Sequence, residues 1–354
     1  MTFQSAHVEG QMAMDGAKVG KDKAFDAETL RVVGHAFLRD VGFGGPVDLI
    51  AAKFERNLDL RGSSIGRFDL SGAFIGDDLV LGGLVGDGIL WEAKWTGCGQ
   101  ARVCLNLRNA RIGNLQDTKQ SWPARINLEG FTYTHLGGSG GDGDQDMRNR
   151  DLAWWREWLG RDPVYSPQPY AQLAGVQAAA GNRDAAAFVR FTGRDRERLE
   201  AGSGCGWLQW LGLVDAPSRE RPCHGDVWLG LSLLQSGIGY GIGAYSFRVV
   251  GTALAMTVTG TIILWFAPGV RGAVLTKFPA RRGPRRKSAV WCVGASLNRL
   301  LPLVTISQEF NDFFNDPNRE RLRAWQQIAF AILAFFGWAL GLFVVAAFSG
   351  LTQS

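Results

Sequence analysis

The stretch "LDLRGSSIGRFDLSGAFIGDDLVLGG", residues 58–83, repeats three times a pattern close to apolar–x–apolar–x–Gly. Apolar and polar positions alternate within each repeat, which is the two-residue period of a β-strand. The central leucines are Leu60, Leu70 and Leu81, so one repeat takes ten or eleven residues. Related segments follow in "LNLRNARIG" (105–113) and "INLEGFTYTHL" (126–136). The pattern therefore predicts short strands that recur at a fixed interval.

Strands of similar sequence at a fixed interval predict a solenoid, because each coil can bury its apolar row only against its neighbour. A ten-residue step fits half of a β-helical coil, with two repeats per turn. A β-sandwich is the alternative, since its strands also recur every roughly 8–12 residues. The repetition of one pattern favours the solenoid. The interval 87–104 fits poorly and is either a bulged coil or an insertion.

Composition limits the compartment and the number of domains. A chain of 354 residues is long enough for two domains, and its net charge of +5 is modest. The five cysteines are an odd number without a CxxC pair, which predicts neither a disulfide framework nor a zinc site and favours a reducing compartment. Residues 1–25 lack the apolar core of a secretory signal and are expected to be disordered, with a helix beginning after Asp26.

The second half of the chain contains two long apolar runs. Residues 249–267 and 328–348 carry no charge and are each about the length that crosses hydrocarbon. Residues 227–245 either cross the bilayer or lie in its interface with Trp228 and Leu231 facing lipid. Residues 289–306 include Arg299, which is costly in mid-membrane, so they are expected to form an amphipathic or re-entrant segment rather than a span. Residues 227–354 are therefore predicted to form a multi-pass membrane domain.

The side of the membrane is left open by two opposing signals. Residues 271–288 contain seven Lys or Arg and no acid, which predicts a cytoplasmic loop. Without a signal peptide the solenoid is also expected to be cytoplasmic, yet one span between the two would place them on opposite sides. A crossing by residues 227–245 would remove the conflict. We expect a cytoplasmic solenoid.

Between the repeats and the membrane domain, the sequence predicts a linker and three helices. Residues 137–150 are rich in Gly and Asp, and their acids Asp142, Asp144 and Asp146 fit calcium loops poorly. Residues 151–201 read as a Trp-rich helix, which caps the solenoid or lies on the bilayer, and a helical pair broken at Gly181. The predicted domains are residues 1–25 (disordered), 26–136 (helix plus β-solenoid), 137–150 (linker), 151–201 (helices) and 227–354 (membrane domain).

The order of these parts resembles a family of bacterial membrane proteins often labelled membrane-associated oxidoreductase or pentapeptide-like repeat membrane protein. The resemblance rests on the glycine-punctuated repeats and on four later segments: "YSPQPYAQLAGVQAAAGNRDAA" (165–186), "GIGYGIGAYSFR" (237–248), "SLNRLLPLVTISQEFNDFF" (296–314) and "FFGWALGLFVVAAFSGLTQ" (335–353). It covers residues 27–354. It implies a bacterial inner-membrane protein with a cytoplasmic or membrane-docked solenoid, and it supplies no catalytic residue.

Motifs for cofactors or catalysis are weak throughout. The glycines of Gly237–Gly243 follow no predicted strand and are followed by no acid at dinucleotide-loop spacing. His135 and the pair Cys223–His224 are isolated candidates for metal or haem ligands. Asp59 and Asp69 lie one repeat apart, a spacing that could place two catalytic carboxylates together on a carbohydrate-active β-helix. Solvated acids at equivalent positions of successive coils have the same spacing. The sequence predicts no cofactor, no metal site and no catalytic residue.

Three functions remain after these tests. We expect a non-catalytic membrane protein whose solenoid is a scaffold or binding surface for a protein partner or a second copy. A membrane-associated oxidoreductase and an oligomeric pore or transport component are the alternatives. Membrane lipids are expected partners. Nucleic acid is not, because the basic run Arg190, Arg194, Arg196 and Arg198 lacks interleaved aromatic residues. That run is expected to be solvated or to lie near anionic lipid.

Overall fold

The computed structural model describes residues 1–20, 23–83, 88–91, 103–138, 146–214, 222–267, 284–300, 306–315 and 322–348. These residues form two compact units, Met1–Cys223 and His224–Ser354. The first unit is a β-solenoid followed by helices, as the repeats predict, and the second unit consists of helices.

The strands of the first unit are two to seven residues long, because the chain turns a corner after each apolar–polar alternation. They are β1 (His7–Val8), β2 (Met12–Ala13), β3 (Lys18–Val19), β4 (Phe25–Asp26), β5 (Arg31–Val32), β6 (Ala36–Phe37), β7 (Gly42–Phe43), β8 (Val47–Asp48), β9 (Lys53–Phe54), β10 (Leu58–Asp59), β11 (Ser64–Ile65), β12 (Phe68–Asp69), β13 (Phe74–Val80), β14 (Leu90–Trp91), β15 (Leu105–Asn106), β16 (Arg111–Gln116), β17 (Ile126–Asn127) and β18 (Thr132–Leu136).

Every strand pair between these elements is parallel, which a sandwich of consecutive hairpins would not give. The strands stack into the rows β1-β5-β9-β13-β10-β6-β2, β14-β11-β7-β3 and β17-β15-β12-β8-β4, with β16 and β18 continuing from β13. Strand β13 joins two faces, since Ile75 lies beside Phe54 and Leu79 beside Leu58. The solenoid completes about five turns, with two repeats per turn.

The solenoid core is one continuous apolar stack. Leu60, Leu70 and Leu81, which define the repeat in the sequence, are fully buried. Phe25, Phe43, Phe54 and Phe68 fill the same interior, where each coil covers the apolar row of the next.

Two predictions for the first residues are wrong. Residues 1–20 are ordered and supply β1, β2 and β3, and β5 and β6 stand where a helix was expected after Asp26. The glycine pattern of the repeat is absent from several corners of the first coils, because residues other than glycine adopt positive φ there: Ser5, Thr29, Asp40 and Ala51. The repeat therefore begins about fifty residues earlier than the glycine pattern indicates.

The C-terminal end of the solenoid is covered by helices α1 (Leu152–Gly160) and α2 (Pro167–Ala179). Helix α3 (Arg183–Ser203) packs on both of them, and α4 (Gly206–Trp210) follows α3. In α1 the buried Trp155, Trp158 and Leu159 join the solenoid core, so this helix caps the solenoid. The predicted linker is not solvated at its end, because Met147 and Arg150 are buried. Asp142 and Asp144 lie outside the described residues.

The second unit comprises α5 (Gly225–Ile238), α6 (Arg248–Trp265), α7 (Pro284–Leu300), α8 (Gln308–Asn315) and α9 (Ala324–Phe348). Small residues allow close packing between these helices: Ser296 Oγ donates to the Thr257 carbonyl at 3.0 Å, and Gly260 lies against Ser296. In α5 the ring of Trp228 is buried rather than facing outwards. The interval 268–283 lies outside the described residues.

Candidate functional site

Side chains of the first helices satisfy the backbone of the last coil. Gln168 accepts from the Gly130 N–H at 3.0 Å and donates to the Phe131 carbonyl at 2.9 Å. Gln172 donates to the Tyr133 carbonyl at 2.5 Å, and the carboxylate of Asp162 accepts from the Leu128 N–H at 2.9 Å. These bonds replace those that another coil would make, so the C-terminal end of the solenoid is closed.

The N-terminal end has no such cover among the described residues of the first unit. The rows of strands end at β1, β2 and β3, and no described strand lies beyond them. We call this surface, formed by residues 1–20, the open end. Its inner apolar residues are only half-buried, although they pack on the solenoid core: Phe3, Ala6, Val8, Met14, Ala17 and Val19.

Hydrogen bonds fix which backbone groups the open end presents. The N–H groups of Arg31 and Val33 donate to the carbonyls of Ala6 and Val8, each at 2.9 Å. In a parallel ladder alternate residues bond to opposite neighbours. The peptide groups of His7, which lies between Ala6 and Val8, therefore point away from the second coil. The open end combines such a strand edge with an incompletely buried apolar row.

The charges of the open end nearly cancel. Residues 1–20 contain Glu9 and Asp15 as acids and Lys18 as a base, besides the amino group of Met1. Asp15 forms an ion pair with Arg39 of the next coil, Oδ2 to Nη2 at 2.5 Å, and the hydrogen bonds from Arg39 lower the pKa of that carboxyl. Two copies of this surface would not repel one another strongly.

The carboxylates that the sequence singles out do not form a catalytic pair. Asp59 lies in β10 and Asp69 in β12, which belong to different sheets. The Asp59 carboxylate is held by Arg61, with Oδ2 at 2.7 Å from Nη2. The Asp69 carboxylate accepts from Asn106 Nδ2 at 3.0 Å and from the Ser71 N–H at 2.9 Å. Each carboxylate already accepts hydrogen bonds from neighbouring groups, and the two lie in different sheets. They therefore do not form a pair of general acid and general base.

A buried ion pair lies under the cap. Both carboxylate oxygens of Asp117 accept from Arg150, at 2.6 and 2.8 Å, and Trp122 Nε1 donates to the same carboxylate. The guanidinium of Arg150 stacks on the Trp154 ring at 4.1 Å. Burial raises the pKa of Asp117 to about 6. Neither side chain of the pair is exposed, so the pair holds the cap to the last coils and does not face a ligand.

The histidines and the glycine run singled out in the sequence form neither a metal site nor a nucleotide-binding loop in the described residues. His135 is exposed and contacts Thr134, and His224 is exposed at the start of α5. In the described residues no three His, Cys, Asp or Glu side chains are grouped to hold a metal ion. Gly237 lies in the last turn of α5, and Gly239 and Gly241 follow that helix with positive φ, so this glycine run follows a helix and not the strand that a dinucleotide loop requires.

The prediction that the cysteines are unpaired is wrong for two of them. Cys205 and Cys223 form a disulfide, with Cα atoms 4.8 Å apart. Their separation of 18 residues matches no disulfide or metal-binding motif, so no sequence pattern predicts this pair. Cys104 and Cys292 are buried. Cys98 lies outside the described residues.

The basic run on α3 is not a free cationic surface. Arg196 donates to the carbonyls of Leu159 and Asp162 and thereby anchors α3 on the cap. Arg194 pairs with Glu197, and Arg198 pairs with Asp195, at 2.8 and 2.9 Å. The expectation of a solvated run is therefore wrong for Arg196, and the positive charge available to anionic lipid is reduced.

Two stretches of the second unit are long and apolar enough to cross a membrane by length and composition: Gly243–Trp265 and Ala324–Leu342. In an 18-residue window of each, 17% is buried, so most of these residues are half-buried or exposed. Helix α5 has 14 residues, which is short of the roughly 20 that cross hydrocarbon. In α7, Asn298 is buried and accepts from the Ile306 N–H at 2.8 Å, while Arg299 lies over the Phe314 ring.

Comparison with known proteins gives no assignment: no family model, no curated protein and no solved structure matches the chain.

Proposed function

We propose that this protein is a non-catalytic, membrane-anchored scaffold whose solenoid associates with a second copy of the chain through the open end. The observation that carries the proposal is the contrast between the two ends of the solenoid. Helices satisfy the last coil, whereas the strand rows end unpaired at β1, β2 and β3 in the described residues. An exposed strand edge next to a half-buried apolar row is a surface that another chain can extend.

A second copy fits this surface better than an unrelated chain does. Its edge has the same spacing of N–H and carbonyl groups, its apolar row has the same width, and its charges nearly cancel. Because the other end is capped, the association closes as a pair around a two-fold axis and does not extend into a fibre. The proposed product is a dimer.

The membrane anchor of the proposal is the second unit. Its support is the length and exposed apolar surface of α6 and α9, together with the aromatic residues Trp265 and Trp325 close to their ends. A multi-pass protein of the bacterial inner membrane, as the resemblance implies, is part of this proposal. The oxidoreductase and pore alternatives stay hypotheses, because no feature of the described residues favours either one.

The test compares two lysine substitutions in the full-length protein in lipid nanodiscs or mild detergent. Val8→Lys places a charge in the half-buried apolar row of the open end, whereas Ala13→Lys places one on an exposed outer position of the same coil. We expect the parent and Ala13→Lys to sediment as dimers and Val8→Lys to dissociate at least about 10-fold more readily, since an unpaired charge in an interface is costly. A parent that is monomeric at all concentrations contradicts the proposal.

A further inference from the structure

The segment between Cys205 and Cys223 exposes an unusual apolar surface. The disulfide closes the segment into a loop that begins with α4. Four large apolar side chains near its start are exposed, by 54% for Trp207, 86% for Trp210, 51% for Leu211 and 48% for Leu213. Leu208, between them, is fully buried and holds the turn on the first unit. Soluble proteins seldom expose such a contiguous group of large apolar residues.

The chemistry of this group fits the interfacial layer of a bilayer. Residues 206–214 contain no ionisable side chain, and tryptophan favours the headgroup region, where its ring is in apolar surroundings and its N–H reaches water. The disulfide also shortens the covalent path from this group to the second unit. Through the disulfide, only Gly206, Cys205 and Cys223 separate Trp207 from His224. The loop is thus joined by a short covalent path to the helices that are proposed to enter the membrane.

The disulfide and the charges indicate the side of the membrane. Disulfides persist in oxidising compartments and are rare in the cytosol. The seven Lys and Arg of residues 271–288 favour the opposite, cytoplasmic side. Helix α6 lies between these two features in the chain and is one of the two candidate spans. A single crossing by α6 satisfies both, whereas the short α5 need not cross.

We propose that residues 206–214, at the start of the segment closed by the disulfide, form a lipid-binding surface that docks on the oxidising face of the membrane crossed by α6. The proposal rests on the membrane anchor proposed above. It replaces the expectation of a cytoplasmic solenoid, and it places the open end on the same oxidising side as the loop, because both precede α6. The occupant of the apolar surface is the headgroup and upper acyl region of the bilayer.

The lipid contact is tested by fluorescence of the full-length protein in nanodiscs whose phosphatidylcholine carries bromine high on the acyl chains. Bromine quenches nearby tryptophans, so the intensity lost relative to unbrominated nanodiscs measures rings at the bilayer. We expect this quenched intensity to fall in Trp207→Phe/Trp210→Phe. The matched control is Trp154→Phe, a tryptophan of the solenoid cap, which should leave the quenched intensity unchanged. An unchanged quenched intensity in the double variant overturns the lipid contact.

The side is tested in expressing cells by acid quenching followed by maleimide-polyethylene glycol labelling of denatured protein. The chain has five cysteines, so the disulfide leaves three to be labelled without reductant. Three labels, rising to five after reduction, are expected, and Cys205→Ser/Cys223→Ser should show three under both conditions. Five labels without reductant overturn the assignment to the oxidising side. If the protein is instead extracted from membranes by alkaline carbonate, the membrane anchor itself fails, which is a distinguishable result.

Discussion

At the scale of single residues, the ion pair of Asp117 and Arg150 is expected to have a large effect on stability. Both side chains are removed from solvent, and the guanidinium also contacts the Trp154 ring. A buried pair contributes little beyond a well-packed apolar pair, but removing one partner leaves the other charge without compensation. The pair therefore makes the cap sensitive to substitution.

We expect Asp117→Asn to lower the free energy of unfolding of the solenoid by about 3–5 kcal/mol, because it leaves the buried Arg150 without a counter-charge. The matched control is Asp15→Asn, which breaks the exposed pair with Arg39 and should cost about 1 kcal/mol or less. Urea denaturation of the full-length protein in detergent, followed by tryptophan fluorescence, measures both. Equal losses in the two variants would contradict this account of the pair.

At the scale of elements, neighbouring coils of the solenoid and neighbouring helices of the second unit are held together by different contacts. Solenoid coils meet through parallel ladders and stacked apolar rows, whereas the helices of the second unit meet at small residues. In α9, a Cβ at Gly337 would lie 2.1 Å from the Leu300 carbonyl oxygen of α7, but a Cβ at Gly341 would meet nothing within 4 Å. These two glycines of one helix are thus a natural comparison.

We expect Gly337→Ala to destabilise the bundle by about 1–3 kcal/mol, since the new methyl group forces backbone apart. Gly341→Ala should be neutral or stabilising by up to about 1 kcal/mol, because alanine is the better helix former. Thermal aggregation of the detergent-solubilised protein reports the order of the two variants. If Gly341→Ala proves the more damaging substitution, the packing of α7 on α9 is not as described.

Sequence reasoning recovered the elements whose physics is local. The leucine ladder of Leu60, Leu70 and Leu81 predicted the solenoid and its two repeats per turn, and the apolar face of α1 predicted its role as a cap. The first coils were missed because corners such as Thr29 and Ala51 adopt positive φ without glycine. Alternation at Val8, Met12 and Met14 was the remaining signal.

Other features depend on contacts between distant residues, and the sequence does not encode them in any readable pattern. The disulfide joins cysteines 18 residues apart, and the pair of Asp117 and Arg150 spans 33 residues. Asp59 and Asp69 lie in different sheets because the coil turns a corner between them. The spacing of the repeat alone does not predict the position of that corner. The candidate site was missed for a related reason, since residues 1–25 read as disordered.

At the scale of the whole molecule, the described residues form a solenoid with one capped end and one open end, followed in the chain by helices that are apolar enough to enter a membrane. The closed end limits growth, the open end supplies a strand edge, and the second unit supplies the anchor. Each part has a separate physical cause: capping side chains such as Gln168, strands such as β1 that pair on one side only among the described residues, and the exposed apolar side chains of α6. Association in pairs through the open end is the central claim.

The most direct measurement of that claim is cross-linking in native membranes with a short bis-maleimide. The full-length chain would carry one new cysteine, either Gln11→Cys at the open end or Ala124→Cys near the capped end, both at exposed positions. The unsubstituted chain corrects for its own cysteines. The account predicts a covalent dimer from Gln11→Cys and only the background of the parent from Ala124→Cys. Equal yields from the two positions, or none from Gln11→Cys, would contradict pairing through the open end.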